Sequence, residues 1–349
     1  MSAAHRDTIG VIGAGAWGTA LAQMLASDGR DVVVWARDAG VARAINETRA
    51  NSVYLPGVAL HPAIRATGIA GELAGLDVVL VVTPAQAMAG VLDAMPDFAG
   101  DLVVCAKGIE AGSGRTMADV ARAAKPRATI AVLSGPTFAH EVAAGLPTAV
   151  TLACDGGAFD DGWAQWQRLA PVFAKPWFRP YFSRDVIGAE IGGAVKNVLA
   201  LACGVVEGLG LGQNARAALI SRGFAEMVRF GLAFGAEAET LTGLSGLGDL
   251  VLTCNSLASR NFAFGRALGE GAAVSDVLRG RRTVVEGAHT AQVVADLARA
   301  RTIAMPIADA VAALVSGAVS ATDMASALLT RPLRPEQDVR SAIGMGKMT

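Results

Sequence analysis

The sequence predicts an α/β half, a parallel sheet with helices on both faces, followed by an all-helical half. Two observations predict this. Up to about Phe182 short apolar runs alternate with helical patterns, and beyond it helical patterns stand alone. At 349 residues the chain exceeds one average domain, so two domains of about 150 to 190 residues are expected. The change of pattern divides them as 1–184 and 185–349.

The strands are read from their own runs. These are Thr8 to Gly13, Asp31 to Ala36, Asp77 to Val82, Leu102 to Ala106, Thr129 to Leu133 and Ala149 to Ala153. Several are nearly continuous in Val, Ile and Leu, as strands covered on both faces require. The stretch "YLPGVALHPAIRAT", Tyr54 to Thr67, breaks the rhythm with prolines and reads as a surface connection. In the second half, helical periodicity covers Val186 to Gly208, Ala215 to Phe234, Arg260 to Leu268, Glu286 to Arg299 and Pro306 to Val315. The polar tail "RPLRPEQDVRSAIGMGKMT" reads as loosely ordered.

In "TIGVIGAGAWGTALAQML", Thr8 to Leu25, an apolar run leads into Gly13, Gly15 and Gly18 and then a helical pattern. In a Rossmann-type doubly wound sheet the first glycine permits the tight turn, the second lets backbone approach a pyrophosphate, and the third lets the helix pack closely. The amides around Ala16 and Trp17 would then face the anion. Glycine turns are common in this glycine-rich chain, so the loop's place as the first βα turn gives the motif its weight. An acid is expected about 20 residues on, to hold the ribose hydroxyls. "VVVWARD" offers Arg37 there instead. A guanidinium pairs with a 2′-phosphate as a bidentate donor, which points to NADPH over NADH. The alternative is a solvated arginine, with Asp38 as ribose acceptor or helix cap.

Ligands of open α/β sheets sit beyond the carboxyl ends of the strands. Polar residues follow three apolar runs: Thr83 and Pro84 in "VVTPAQA", Lys107 in "VVCAKGIE", and Gly135 and Thr137 in "VLSGPTFAHE". A cation at 107 could hold a phosphate, and the turn at 135–137 offers amides and a hydroxyl. Taken singly, Thr137 could be an N-cap and Lys107 a surface charge. In the helical half Lys196 lies in "GGAVKNVLALACG", among residues too apolar for a solvated face. Either its stem packs while the ammonium reaches water, or desolvation lowers its pKa and it moves a proton at a carbonyl or alcohol. Farther on, Asp249 follows a glycine-rich turn, and Ser259, Arg260 and Asn261 open a helix. A serine, a guanidinium and an amide at a helix start suit a phosphate, or merely cap the helix.

Composition narrows the classes. A net charge of −1 with 17% charged residues gives no basic face for nucleic acid. Cys105, Cys154, Cys203 and Cys254 form neither a CxxC pair nor a compact disulfide framework, which fits a reduced setting. His5, His61, His140 and His289 make no metal motif. The N-terminus shows no signal core, so a cytoplasmic location is expected. Val186 to Gly212 is the most apolar stretch, but Glu190, Lys196 and Glu207 interrupt it. A buried helix is expected rather than a membrane span. A helical half this apolar is also expected to bury surface in a homodimer.

Seven blocks in order, "GAGAWGTALA", "YLPGVAL", "CAKGIE", "LSGPTFAHEVA", "VKNVLALACGVVEGLGLGQNARAAL", "GDLVLTCNSLASRNFAFG" and "VVEGAHTA", make the sequence similar to the bacterial NAD(P)-dependent glycerol-3-phosphate dehydrogenases over Ile9 to Leu329. The resemblance implies interconversion of dihydroxyacetone phosphate and sn-glycerol 3-phosphate, supplying glycerophospholipid synthesis. It implies that Lys196 is proton donor and acceptor and that Lys107 contacts both cofactor and substrate. It implies that Gly135, Thr137, Asp249, Ser259, Arg260 and Asn261 hold the substrate, Arg260 also reaching the cofactor. Ala16, Trp17, Arg37, Ala139, Val284 and Glu286 would line the NADPH site. Ala16, Glu207 and His61 depart from the family's pattern: serine is frequent at the first, aspartate expected at the second, near the presumed site, and an apolar residue usual at the third. Two other readings stand beside it: a 3-hydroxyacid dehydrogenase, which would share an α/β half followed by a helical half, and a redox-sensing NADPH-binding protein without catalysis. The phosphate-suited cluster of Lys107, Ser259, Arg260 and Asn261 argues against the first.

Overall fold

The computed structural model describes residues 8–156, 161–279 and 284–331; most of the polar tail lies outside them. Eight strands form one sheet: β1 (Ile9–Ile12), β2 (Val32–Trp35), β3 (Ile64–Thr67), β4 (Val78–Val81), β5 (Asp101–Val104), β6 (Thr129–Ser134), β7 (Thr148–Cys154) and β8 (Phe178–Ser183). Their order is β3-β2-β1-β4-β5-β6-β7-β8. The first six strands thus run in the order of a Rossmann sheet, whose switch point lies between β1 and β4. Helices α1 (Ala16–Ala26), α2 (Ala39–Thr48), α3 (Met88–Ala94), α4 (Met117–Ala124), α5 (Ala139–Ala143) and α6 (Trp163–Phe173) accompany it. Separate apolar clusters cover the two faces, one around Leu21, Leu25 and Val34 and the other around Leu92, Leu102 and Val104.

The six strands read from the sequence are all present, and two more exist. β3 lies within the proline-broken stretch expected to be a connection, and pairs in parallel with β2 along one edge of the sheet. β8 pairs in parallel with β7 at the other edge. It contains Pro180, which an edge strand tolerates because its missing N–H need not bond outward. β7 runs antiparallel to β6, a departure from the all-parallel expectation. Only the short α5 lies between these two strands, too little chain for a parallel crossover.

The rest is helical: α7 (Val186–Gly208), α8 (Gly212–Ala233), α9 (Ala238–Thr242), α10 (Asp249–Cys254), α11 (Arg260–Gly269), α12 (Val274–Arg279), α13 (Glu286–Ala300), α14 (Pro306–Val315) and α15 (Ala321–Leu329). Asp185 caps α7 by accepting from Gly188 N at 2.7 Å. α7 is long and apolar enough to cross a bilayer, but 94% of its most apolar window is buried inside the protein. Its aliphatic side chains, Leu199 and Leu201 among them, form the centre of the helical core. Each contributes about 1.5–3 kcal/mol by leaving water.

Glycines let α11 lie almost against the backbone of α7. A Cβ on Gly204 would stand 2.1 Å from Phe262 O, and one on Gly265 would stand 2.0 Å from Leu201 O. No flexible side chain could yield there, since the obstacle is backbone. The close crossing fixes the start of α11, with Ser259, Arg260 and Asn261, beside the middle of α7.

Candidate active site

At the switch point Gly13 has φ +112°, and a Cβ there would stand 2.8 Å from Val82 O. A Cβ on Gly18 would stand 1.8 Å from Gly13 O. Both glycines answer to the protein's own packing. Gly15 does not: its φ of −72° and ψ of −179° suit any residue, and nothing lies within 4 Å of where its Cβ would be. Glycine at this position therefore leaves open space directly before the N-terminus of α1, where Ala16 and Trp17 are half-buried. Free amides and a positive helix end facing open space suit a pyrophosphate. The indole Nε1 of Trp17 is buried and lacks a partner among the described residues.

Arg37 lies exposed just beyond β2. Asp38 caps α2, accepting from Gly40 N at 2.7 Å and Val41 N at 3.3 Å. One oxygen of Asp38 is thus engaged as the helix cap that the sequence allowed for, while Arg37 has no ion-pair partner among the described residues.

The second cluster joins the two halves. Lys107, just past β5, donates from Nζ to Gly135 O at 3.0 Å and to Asp249 Oδ2 at 2.6 Å. Lys196 Nζ lies 3.0 Å from Asp249 Oδ1 and donates to Thr253 Oγ1 at 2.8 Å. Thr253 in turn donates to Asp249 Oδ1 at 3.1 Å. α7 can pass over the Lys107 stem because Gly193 has no side chain; a Cβ there would stand 3.3 Å from Lys107 Cγ and 3.0 Å from Ser134 Oγ. Asp249 opens α10 after a widened π-type turn, Leu244–Gly248, an irregularity frequent at functional sites.

Lys196 is 8% exposed and Asp249 1%, so the snorkelling alternative does not hold. Burial pushes the Lys196 ammonium down to about 8; the Asp249 carboxylate pulls it back up and Lys107 pushes it down further. Burial alone would raise the Asp249 carboxyl, but the two ammoniums outweigh it and hold the group below its ordinary value. One carboxylate between two lysines compensates part of their positive charge, while a lysine near 8 can exchange its proton around neutral pH.

Ser259 caps α11, its Oγ accepting from Phe262 N at 3.2 Å. Asn261 Oδ1 accepts from Gly287 N at 2.9 Å and its Nδ2 donates to Asn197 Oδ1 at 2.8 Å. One N–H of Asn261 remains for a ligand. Glu286 opens α13 and reaches the sheet, accepting from Ala85 N at 3.3 Å through Oε1. Its Oε2 is buried without a partner among the described residues. Burial raises the Glu286 carboxyl, against the opposing influence of the Ala85 amide and the Arg260 charge. Thr137 Oγ1 donates to Gly135 O at 3.2 Å, and Ala139 opens α5. Thr83, past β4, has a buried Oγ1 with no partner among the described residues. Val284 is 36% exposed, just ahead of α13.

The structure therefore links Lys107, Gly135, Thr137, Lys196 and Asp249 by direct bonds, and ties Asn261 to the start of α13. Ala16, Trp17 and Arg37 lie apart from this group, around the glycine loop and the end of β2. Thr253 and Asn197 were missed in the sequence. Their only signals are position: four residues after Asp249, hence on the same helix face, and immediately after Lys196. Glu207 is corrected as a neighbour of the site. It stands eleven residues along α7 from Lys196, about 16 Å by helix rise, and pairs with Arg216 at 2.6 Å.

A Rossmann sheet with an open glycine loop, facing a buried lysine in a helical half, defines a nicotinamide-dinucleotide-dependent dehydrogenase. Residues 8–159 match the NAD-dependent glycerol-3-phosphate dehydrogenase N-terminus and residues 185–326 match the corresponding C-terminus. The glycerol-3-phosphate dehydrogenase, NAD(P)+, of Novosphingobium aromaticivorans is 64% identical over 328 residues, 94% of this chain and 98% of its own. The like-named protein of Erythrobacter litoralis is 60% identical over 330 residues, 95% of this chain and 98% of its own. The crystal structure of glycerol-3-phosphate dehydrogenase from Coxiella burnetii superposes with a TM-score of 0.87 at 37% identity, covering 93% of this chain and 99% of that one. The chain belongs to the NAD-dependent glycerol-3-phosphate dehydrogenase family, and is an NAD(P)-dependent oxidoreductase.

Proposed function

We propose that the chain reduces dihydroxyacetone phosphate to sn-glycerol 3-phosphate, and reverses the reaction, with NADPH preferred to NADH. The observation that carries this reading is the array of half-buried Lys107 with buried Asp249 and Lys196 where the two halves meet. The residues present fit a dinucleotide: space over Gly15, the α1 N-terminus and the Arg37 guanidinium can receive its phosphates. Gly13, Gly15, Ala16, Trp17, Gly18, Arg37, Lys107, Ala139, Arg260, Val284 and Glu286 would hold it. When bound, the reduced nicotinamide supplies the hydride.

The chain's own residues supply the rest. Lys107 and Arg260 are the cations for the substrate phosphate, with Gly135, Thr137, Ser259 and Asn261 around it. Lys196 holds the proton that the developing alkoxide takes, and neutral Lys196 accepts it in the reverse direction. Asp249 keeps Lys196 oriented and partly charged.

With the division at 184/185, the first half would supply most of the cofactor's partners, and the second half would add Arg260, Val284 and Glu286 and supply the proton-transferring Lys196. The exposed Leu211 and Leu232 at the ends of α8, together with the half-buried Leu219, Ile220 and Phe224 along it, support a homodimer. A cytoplasmic enzyme feeding glycerophospholipid synthesis fits this chemistry. The test is Lys196→Ala: NADPH binding measured by fluorescence should be retained while turnover of dihydroxyacetone phosphate is lost. Retained turnover would remove Lys196 from the mechanism.

A further inference from the structure

Asn51 lies in the turn between α2 and β3, far from Lys196 in sequence, and is 1% exposed. Its Nδ2 donates to Ala14 O at 2.9 Å and to Thr19 Oγ1 at 2.8 Å. Its Oδ1 accepts from Tyr54 N at 3.3 Å. A carbonyl can only accept and an amide N–H only donate, so the side-chain amide has a single orientation that satisfies all three. Ala14 is the residue between Gly13 and Gly15 of the glycine loop.

We infer that Asn51 is a positioning residue for the cofactor pyrophosphate, acting through the Ala14–Gly15 peptide. The inference rests on the reading of the glycine loop as the cofactor site. The peptide is trans and planar, so its C=O and N–H point in opposite directions. Asn51 draws the Ala14 carbonyl inward. The Gly15 N–H of the same peptide then points away from Asn51, beside the open space that the absent Gly15 side chain leaves. Without the Asn51 donors the Ala14 carbonyl would be a buried acceptor with one partner fewer, and rotation of the peptide toward water would relieve it. That rotation would present an oxygen, not an N–H, to the phosphate. Thr19, the other acceptor, belongs to the α1 interior: its Oγ1 accepts from Asn51 and its N–H donates to Gly15 O at 2.9 Å, so neither group bonds the Ala14 carbonyl.

The test compares NADPH dissociation constants of the full chain with those of Asn51→Asp, Thr19→Val and Gly15→Val. Asn51→Asp keeps the shape and the acceptor for Tyr54 but removes both donors. It should weaken NADPH about tenfold or more, the scale of a lost hydrogen bond to a charged group. The Michaelis constant for dihydroxyacetone phosphate should stay within about twofold, the selective effect expected of a positioning role. Thr19→Val should bind NADPH like the unaltered chain, and Gly15→Val should bind it poorly. Unchanged NADPH affinity in Asn51→Asp beside a weakened Gly15→Val overturns the inference, as does equal weakening by Thr19→Val. Unchanged affinity in Gly15→Val removes the loop reading itself, and the inference with it. Hydrogen exchange on the unaltered chain gives a check that needs no variant. The Gly15 amide should exchange readily without cofactor and become protected with NADPH, whereas protection in the free chain contradicts the assigned orientation.

Discussion

The proposed chemistry turns on how one carboxylate, Asp249, is shared between Lys107 and Lys196. Lys196 is held near 8 because burial outweighs the pull of Asp249. In the proposed reaction its protonated form is the donor, so kcat/KM for ketone reduction should fall as pH rises through about 8, while alcohol oxidation rises over the same range. Stopped-rate assays in both directions check this; a reduction profile flat from pH 6 to about 10, the span of an unperturbed lysine, would contradict it. Asp249→Asn removes the pull that raises Lys196, so the same midpoint should move to lower pH. It also leaves two ammoniums uncompensated, at a cost of about 3–5 kcal/mol in chemical unfolding. Arg37→Ala should raise the Michaelis constant for NADPH about 10- to 100-fold, the size of a bidentate charged contact, with little effect on that for NADH. Equal effects on both would make Arg37 a surface charge. Lys196, Asp249 and Lys107 were legible in the sequence because a charge inside an apolar run, or directly after one, is conspicuous. Thr253 and Asn197 were not, since a threonine or asparagine within a helix carries no signal until its partner is known.

Elements were legible where burial imposed a pattern. β1, β2, β4 and β5 are covered on both faces and show as apolar runs. β3 and β8 lie at the sheet edges, where one side of the ladder is free and prolines and polar residues are tolerated, so nothing in their composition separates them from loops. The glycines of α7 and α11 read as generic until the crossing of the two helices gives each a neighbour. Gly265→Ala inserts a methyl group 2.0 Å from Leu201 O. The helices must separate, with an overpacking cost of about 1–3 kcal/mol or more. Displacing the start of α11 should also raise the Michaelis constant for the phosphorylated substrate. Wild-type stability and kinetics in this variant would show that the crossing has slack.

At the scale of the whole molecule, buried carboxylates tie helices together. Glu190 on α7 accepts from Ala118 N in the first turn of α4 at 2.7 Å, joining the helical half to the α/β half. Glu226 on α8 accepts from Ile307 N at 2.9 Å, at the start of α14. Burial raises both carboxyls to about 7. A carboxyl raised on folding favours the protonated native state, so its contribution is complete below the unfolded value near 4.5 and is lost as pH rises through about 7. Glu190→Gln should therefore raise the thermal midpoint at pH 8, by a stability gain of about 3 kcal/mol, and do little at pH 5. A loss of stability at both pH values would show that the carboxylate form is the one the junction needs.

The central claim is that the two halves together form a site for a phosphorylated three-carbon ketone and a reduced nicotinamide. Its most direct test is steady-state reduction of dihydroxyacetone phosphate with NADPH and NADH in parallel, beside small 3-oxoacids as competing substrates. Turnover of dihydroxyacetone phosphate with the higher kcat/KM for NADPH is the expected result; turnover of the 3-oxoacids alone, or of none of these substrates, would contradict it.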